Sequence, residues 1–400
     1  MRLLFLNRSF WPDPEATGQF LTELCDDLSA AHRITVIAGP PLYRAVARRA
    51  LLSRNRRGEI EIIRTFGTRF SKTRLAGRLT NLATYYVLAA IAARRLERPD
   101  IIIAATDPPL LGALGAMLKR RFGCRLVYNV RDLYPDIAYA NGGLKNPALL
   151  ATLRRANAFA YEHSEAIVTL GNDMAERIIA KGVPTAKVSV IPDWVDTTLI
   201  HPLECNPFRG EFGGRFVVMY SGNIGLSQQL ESVLDAAACL ARDARIVFVL
   251  IGEGARKPAL VRLARERGLA NVEFLPYRPK EELAQSLGAA DLHLIPLMPG
   301  AAGCLVPSKV YAILAAGRPF VAMMEPGAEV ARIALEHRVG FVVEPGDAVA
   351  LARTIADAAE DRDELRAMGL RARALAVNRF DRGIATSAFA AMLARVGEMA

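Results

Sequence analysis

Three glycine-bearing segments in the second half of the sequence have residue types suited to holding an anion. Tyr220-Ser-Gly-Asn-Ile-Gly-Leu follows one apolar run, and Ile251-Gly-Glu-Gly follows the next. Gly222 and Gly225 are expected to permit positive φ and close backbone approach. A helix N-terminus just beyond them would offer unpaired N–H groups and a favourable dipole to a diphosphate. The GNIG spacing matches neither GxGxxG nor GxxxxGK[ST], so an ordinary strand-to-helix turn is an equal reading of that segment alone. Gly252 and Gly254 add a second glycine pair at the same sheet edge. The third segment runs from Gly303 through Cys304, Pro307, Ser308 and Lys309 to Gly317-Arg-Pro. Gly303 is expected to open a turn, Pro307 to fit a first helical turn, Ser308 to cap and Lys309 to bring a cation to an anion at the helix start. Gly317 would end that helix and Pro319 begin the next strand. The end signals alone fit a capped core helix; the basic, glycine-opened start argues for an anion site.

In the first half, Asn129-Val-Arg-Asp-Leu-Tyr-Pro-Asp follows an apolar run, which should bring Arg131, Asp132 and Asp136 out at the carboxyl end of a strand. Such a charged run is either a salt-bridged structural cluster or the wall of an active site. The loop Phe10 to Gln19 is its counterpart after the first strand. Thr17, Gly18 and Gln19 there could reach a ligand held by the other half.

The elements needed to position these groups are legible as periodicity. Short apolar runs at Met1–Leu6, Arg33–Gly39, Glu59–Arg64, Ile101–Ala105 and Arg125–Val130 alternate with helical patterns at Thr17–Leu28, Asn81–Glu97 and Leu110–Arg121. Near-continuous apolar strands of this kind predict a parallel sheet covered on both faces. The pattern starts afresh after a Pro- and Gly-rich stretch near 190–212. Strands are expected at Arg215–Tyr220, Ile246–Ile251, Val272–Leu275, Leu292–Pro296 and Phe320–Met323, and helices at Gln228–Ala241, Lys257–Arg267, Lys280–Leu287 and Lys309–Ala316. The expected architecture is α/β, two doubly wound Rossmann-like domains facing a cleft, one over 1–195 and one over 196–380. The helical segment 381–400 could pack on either domain.

Composition narrows the classes further. Of 400 residues, 52% are hydrophobic and 23% charged, which is a globular composition. The uncharged stretch Leu79–Ala93 is too short and too polar to span a bilayer, and Arg2 precedes too short an apolar run for a secretory signal. A cytoplasmic protein is expected. Five cysteines and five histidines show no metal-ligand spacing, so no metal and no cofactor is expected. The net charge is +10, and between Arg44 and Arg78 eleven Lys or Arg face only Glu59 and Glu61. With Phe66, Phe70 and Leu75 among them, this block could bind an anionic membrane surface, a phosphorylated substrate or nucleic acid; no nucleic-acid motif accompanies it, so the membrane surface is the favoured reading, with a solvated basic loop and helix as the alternative.

At these residues the sequence resembles the bacterial family 4 glycosyltransferases of the GT-B fold, in the branch that assembles extracellular or capsular polysaccharide. The resemblance runs through ThrAspProPro at 106–109, ValArgAspLeuTyrProAsp at 130–136, IleProAspTrpValAsp at 191–196 and TyrSerGlyAsnIleGly at 220–225. It continues through PheLeuProTyr at 274–277 and ValProSerLys with AlaAlaGlyArgPro at 306–319. It implies transfer of a sugar, with retention and without a metal, from a nucleotide diphosphate donor that is usually UDP-linked. A lipid-linked or saccharide acceptor would receive it, so the resemblance makes 1–195 the acceptor-side domain, 196–380 the nucleotide-sugar-binding domain, and 381–400 a helix that returns to the first domain. Arg131 and Asp132 would be the catalytic-wall residues. Gly222, Asn223, Gly225, Gly252, Gly254, Tyr277, Leu305, Val306, Ser308 and Lys309 would bind the donor. The sequence departs from the family pattern at Cys304 and Ala312, where a glutamate pair is usual, at Asn223 and Gln228, where Arg and Lys are usual, and at Arg131, where His is usual. A nucleotide-sugar 2-epimerase of the same architecture, or a catalytically degenerate membrane-associated scaffold, are the competing functions.

Overall fold

The computed structural model describes residues 1–13, 15–41, 50–68, 70, 75–225 and 228–399. Two compact units result. Unit 1 comprises Met1–Pro192 together with the residues from Thr386 onward, and unit 2 comprises Asp193–Ala385. The final helix, Arg382–Glu398, therefore starts in unit 2 and is completed in unit 1.

Unit 1 is built on eight strands: β1 (Arg2–Leu6), β2 (Arg33–Ala38), β3 (Leu52–Arg57), β4 (Ile60–Thr65), β5 (Ile101–Ala104), β6 (Arg125–Val130), β7 (Ala166–Thr169) and β8 (Val188–Val190). They lie in the order β3-β4-β2-β1-β5-β6-β7-β8. The central strands are buried almost throughout because both faces are covered by helices, and this is why they read as unbroken apolar runs. The expectation of a wholly parallel sheet needs one correction. β3 pairs with β4 antiparallel, turning at Gly58 with φ +55°. Its sequence, LSRNRR, has no apolar alternation because it is an exposed edge, so the basic block hid a strand.

Unit 2 carries six parallel strands: β9 (Phe216–Ser221), β10 (Ile246–Ile251), β11 (Val272–Leu275), β12 (Leu292–Pro296), β13 (Phe320–Met323) and β14 (Gly340–Val343), in the order β11-β10-β9-β12-β13-β14. The chain order reverses on either side of β9, so β9 and β12 flank the switch point where open α/β sheets take ligands. Successive residues of β9 feed opposite cores. Phe216, Val218 and Tyr220 pack with Phe248, Leu250 and Ile355 on one face. Val217 and Met219 pack with Val247, Val249, Phe208 and Phe212 on the other. Such two-sided burial fixes register, since a one-residue slip would exchange the two faces.

Two helix expectations shift. The helix expected from Gln228 spans Glu231–Cys239, and that expected from Asn81 spans Leu75–Arg94. Asp361 caps the helix Arg362–Arg379, its Oδ1 accepting from the Glu364 N–H at 3.0 Å, so Asp361-Arg-Asp363, the one Asp-x-Asp triplet in the sequence, serves a helix start.

Candidate donor site and its counterpart in unit 1

The two glycine turns of unit 2 lock onto each other through their backbones. The Gly222 N–H donates to Ile251 O at 2.9 Å, Ile224 N–H to Glu253 O at 2.9 Å and Arg256 N–H to Ile224 O at 3.0 Å. Gly222, Gly252 and Gly254 have φ of +144°, +148° and +157°. A Cβ on Gly252 would lie 1.9 Å from Gly222 O, and one on Gly254 2.2 Å from Ile224 O, so no side chain fits at either position. This revises the expected use of the amides: those of Gly222 and Ile224 bind the neighbouring turn, and that of Gly225 donates to Gln228 Oε1 at 3.1 Å. Gly225 is also not in the positive-φ region; its constraint is space, because an added Cβ would meet Asn223 Nδ2 at 2.6 Å.

What the turns frame is a cation. Lys309 begins the helix Lys309–Ala315, and its Nζ lies 3.9 Å from the centroid of the Tyr220 ring. An ammonium over a ring face is held by the ring quadrupole. Tyr220 is itself fixed, its hydroxyl donating to Asn223 O at 2.6 Å. The same Nζ would be 2.9 Å from a Cβ on Gly222, so the glycine gives the lysine its place. Loss of solvation pulls the Lys309 ammonium down to about 7, and among the described residues no neighbouring carboxylate offsets that. Burial, then the nearby Tyr277, raises the Tyr220 phenol. The helix carrying Lys309 is anchored at both ends: Tyr311 in its first turn packs on Phe380 at 5.0 Å between centroids, and Arg373 Nη1 donates to Ala315 O at 3.0 Å.

The segment leading into this helix is turned by Gly300 (φ +77°) and Gly303 (φ +69°). Cys304 and Val306 are buried in it, whereas Leu305 and Ser308 are half-buried. Ser308 occupies the N-cap position with helical backbone angles and makes no side-chain cap bond, contrary to the expected capping role. Tyr277 lies just beyond β11 and is 51% exposed.

In unit 1 the charged run after β6 is tied to the loop after β5. Thr106 Oγ1 accepts from the Arg131 N–H at 3.2 Å and from the Asp132 N–H at 3.1 Å. The Arg131 guanidinium lies 5.1 Å from the centre of the Phe20 ring, on the helix Ala16–Leu28 that also carries Thr17, Gly18 and Gln19. Arg131 and that helix are thus brought together, and buried Gly18 packs at contact distance on Ser9 and Phe10. Asp132 is exposed. Asp136 is different: both its oxygens contact Lys181 Nζ, at 2.8 and 2.9 Å, so it belongs to an ion pair lining a separate pocket with Asn157 and Tyr161.

Sequence reasoning missed the group that holds the first loop. Asp107 accepts from Ser9 Oγ at 2.6 Å and from the Ser9 N–H at 3.0 Å, and pairs with Arg8 Nη2 at 2.9 Å. Buried Arg64 donates to Gly39 O at 2.8 Å and to Trp11 O. An Asp directly before a proline at a strand end was the available signal for Asp107; nothing local marks Arg64.

Two Rossmann-like α/β units, one with interlocked glycine turns beside Lys309 at the carboxyl ends of its strands, define a two-domain protein of doubly wound α/β architecture. Residues 16–194 match the family model described as a glycosyl transferase 4-like domain, and residues 215–361 match that of glycosyl transferases group 1. The chain is 31% identical over 298 residues to the Pseudomonas aeruginosa protein named as the glycosyltransferase WbjE, covering 73% of this chain and 74% of that one. It is 28% identical over 376 residues to WcaI of Escherichia coli K12, named as a colanic acid biosynthesis glycosyl transferase, covering 90% and 92%. The crystal structure of Anabaena HepE in complex with UDP superposes with a TM-score of 0.75 at 19% identity, covering 99% of this chain and 100% of that one. The chain belongs to the family 4 glycosyltransferases of the GT-B fold.

Among the described residues no group of three or more His, Cys, Asp or Glu is placed to hold a metal ion, and no helix is long and apolar enough to cross a membrane.

Proposed function

We propose that the chain transfers a hexosyl or N-acetylhexosaminyl group, with retention and without a metal, from a UDP-linked donor to a lipid-linked or saccharide acceptor in cell-surface polysaccharide synthesis. The observation that carries this reading is the Lys309 ammonium, desolvated, held on Tyr220 and lacking a carboxylate. As the glycosyl bond breaks, negative charge grows on the leaving diphosphate, and a fixed cation in a dry site lowers the energy of that charge most when it is fully formed. Tyr277 would stack on the base, and Leu305, Val306 and Ser308 would line the donor alongside Asn223. Arg131 and Asp132 would orient the sugar or the acceptor from unit 1. The naming of WcaI for colanic acid biosynthesis and the UDP in the HepE structure support the polysaccharide role and the nucleotide.

Peripheral attachment to the inner face of an anionic membrane through residues 44–78 belongs to the same proposal. Residues 44–49, 69 and 71–74 of that stretch lie outside the described residues; Arg54 and Arg56 are exposed on β3. Thermal-shift measurement with a panel of nucleotides and nucleotide sugars tests the donor assignment, since a ligand bound only by the folded state raises the melting temperature. No shift with UDP or any UDP-sugar would reject it.

A further inference from the structure

A pocket of about 380 Å³ opens in unit 1 at the end of the sheet where the parallel strands begin, with Arg2 and Arg33 as the first residues of β1 and β2. Arg131 and the Ser9 loop sit at the opposite, carboxyl ends of the strands. The pocket is lined by Arg2, Arg33, Arg54, Arg56 and Arg95, with Glu61 and Glu97. Strand register builds it. Leu4 lies beside Thr35, Thr35 beside Glu61, and Glu61 beside Arg56, a row across four strands. Register partners share a face, as do residues two apart on one strand. Arg54 therefore joins Arg56, and Arg2 and Arg33, which are themselves register partners, join Leu4 and Thr35. Arg95 follows the helix Leu75–Arg94 and closes that end.

Like charges side by side on a sheet repel. Glu97 Oε2 relieves one pair, lying 3.0 Å from Arg2 and 3.9 Å from Arg33. Glu61 lies 3.3 Å from Arg54, and its other oxygen accepts from Thr35 Oγ1 at 3.4 Å. Five arginines against two glutamates leave a charge of +3 around the pocket (5 − 2), and among the described residues Arg56 and Arg95 have no ion-pair partner. Protection of an exposed sheet edge against unwanted pairing accounts for the charges on β3. It does not account for Arg2, Arg33 and Arg95, which lie off the edge strand.

We infer that this pocket is an anion-binding site for a phosphate group, carried either by a free phosphate or diphosphate or by a phospholipid headgroup, and held between Arg56 and Arg95. Guanidinium forks match phosphate oxygens two at a time, where lysines would give point charges, and the pocket lining brings two such forks without an ion-pair partner to one cavity. The inference is independent of the donor site around Lys309.

The test is local. The full chain is treated with phenylglyoxal with and without inorganic pyrophosphate, and modification at each arginine is read by peptide mass spectrometry. Slowing at Arg56 and Arg95, with exposed Arg353 of unit 2 unchanged, is the expected result; equal slowing at all three, or none in either this arm or the next, overturns the site. In the second arm, vesicles of phosphatidylglycerol in phosphatidylcholine replace pyrophosphate, and co-sedimentation is compared for wild type and the Arg56→Ser, Arg95→Ser double variant. Protection by vesicles, with binding weakened about fivefold for each arginine removed, assigns the headgroup as the source. Protection by pyrophosphate alone assigns a free phosphate. A double variant that keeps its melting temperature and binds both probes like wild type rejects the proposal.

Discussion

The Lys309 ammonium and the Tyr220 ring, 3.9 Å apart, form a pair in which each residue explains the other. Tyr220 is the penultimate residue of β9 and is buried; Lys309 begins a helix that follows β12, the strand beside β9. The ring offers a face and no carboxylate, so among the described residues the lysine is positioned without an ion-pair partner. In the proposed reading the donor diphosphate supplies one.

Replacing Lys309 by Ala is expected to lower kcat by about a hundredfold or more, the loss typical when one preorganised charge-stabilising group is removed. UDP binding should weaken far more than uridine binding, because the cation acts on the phosphates. Isothermal titration with both ligands measures this, and equal losses would contradict the role.

The pH dependence follows from the lowered pKa. Lys309 titrates near 7 in the folded protein against 10.5 when unfolded. The unfolded chain thus binds more protons between those values, and the contribution of this group to stability rises with pH across that window and is lost as pH falls through 7. A bound diphosphate would restore the proton, so UDP affinity should fall by up to about tenfold per unit as pH rises above 7. In Lys309→Arg the slope should vanish, since a guanidinium stays charged there. A flat wild-type profile between pH 7.5 and 9.5 would count against proton uptake on binding.

Gly252→Ala should be a folding variant. Its Cβ would fall 1.9 Å from Gly222 O, and forcing the two turns apart is expected to cost about 3 kcal/mol or more, in the range reserved for strained backbone positions. Gly225→Ala meets only the flexible side chains of Asn223 and Gln228, so its melting temperature should stay near wild type while UDP affinity changes. Calorimetric melts of both variants check the contrast.

Asp132 and Asp136 should behave oppositely despite their proximity in sequence. Asp136→Asn breaks a partly exposed pair with Lys181, worth about 0–1 kcal/mol, and should leave kcat/KM within a factor of three. Asp132→Asn should depress kcat/KM strongly. Steady-state kinetics with a UDP-sugar and its acceptor decide between them.

A chelator should leave turnover intact, and product analysis should find the sugar on the acceptor with its anomeric configuration kept. Activity restored by added manganese, or a free isomerised nucleotide sugar formed without acceptor, would replace the transferase reading with a metal-dependent or epimerase one.

The strands that hold these groups were readable because burial on both faces leaves an unbroken apolar run, as in IIIA of β5 and IVFVLI of β10. β3 was not, because an exposed edge strand needs no apolar face. β7, β8 and β14 were passed over too: AIVT ends on a polar residue, VSV has three residues with a serine at its centre, and GFVV opens on a glycine. Lys309 was legible from the glycine, proline and serine before it. The amide bonding of the turns was not: whether Gly222 N–H meets a ligand or Ile251 O depends on a strand thirty residues away. Asp136 was misplaced for the same reason, since Lys181 lies forty-five residues on.

The final helix makes the first sheet depend on residues far along the chain. Arg395 Nη2 contacts Ser189 Oγ at 3.1 Å, and Gly397 packs against Met1, so unit 1 is closed by a segment that follows the whole of unit 2. Truncation after Ala385 should therefore loosen unit 1 and leave unit 2 intact, and limited proteolysis of the shortened chain should cut within residues 1–192 before residues 193–385.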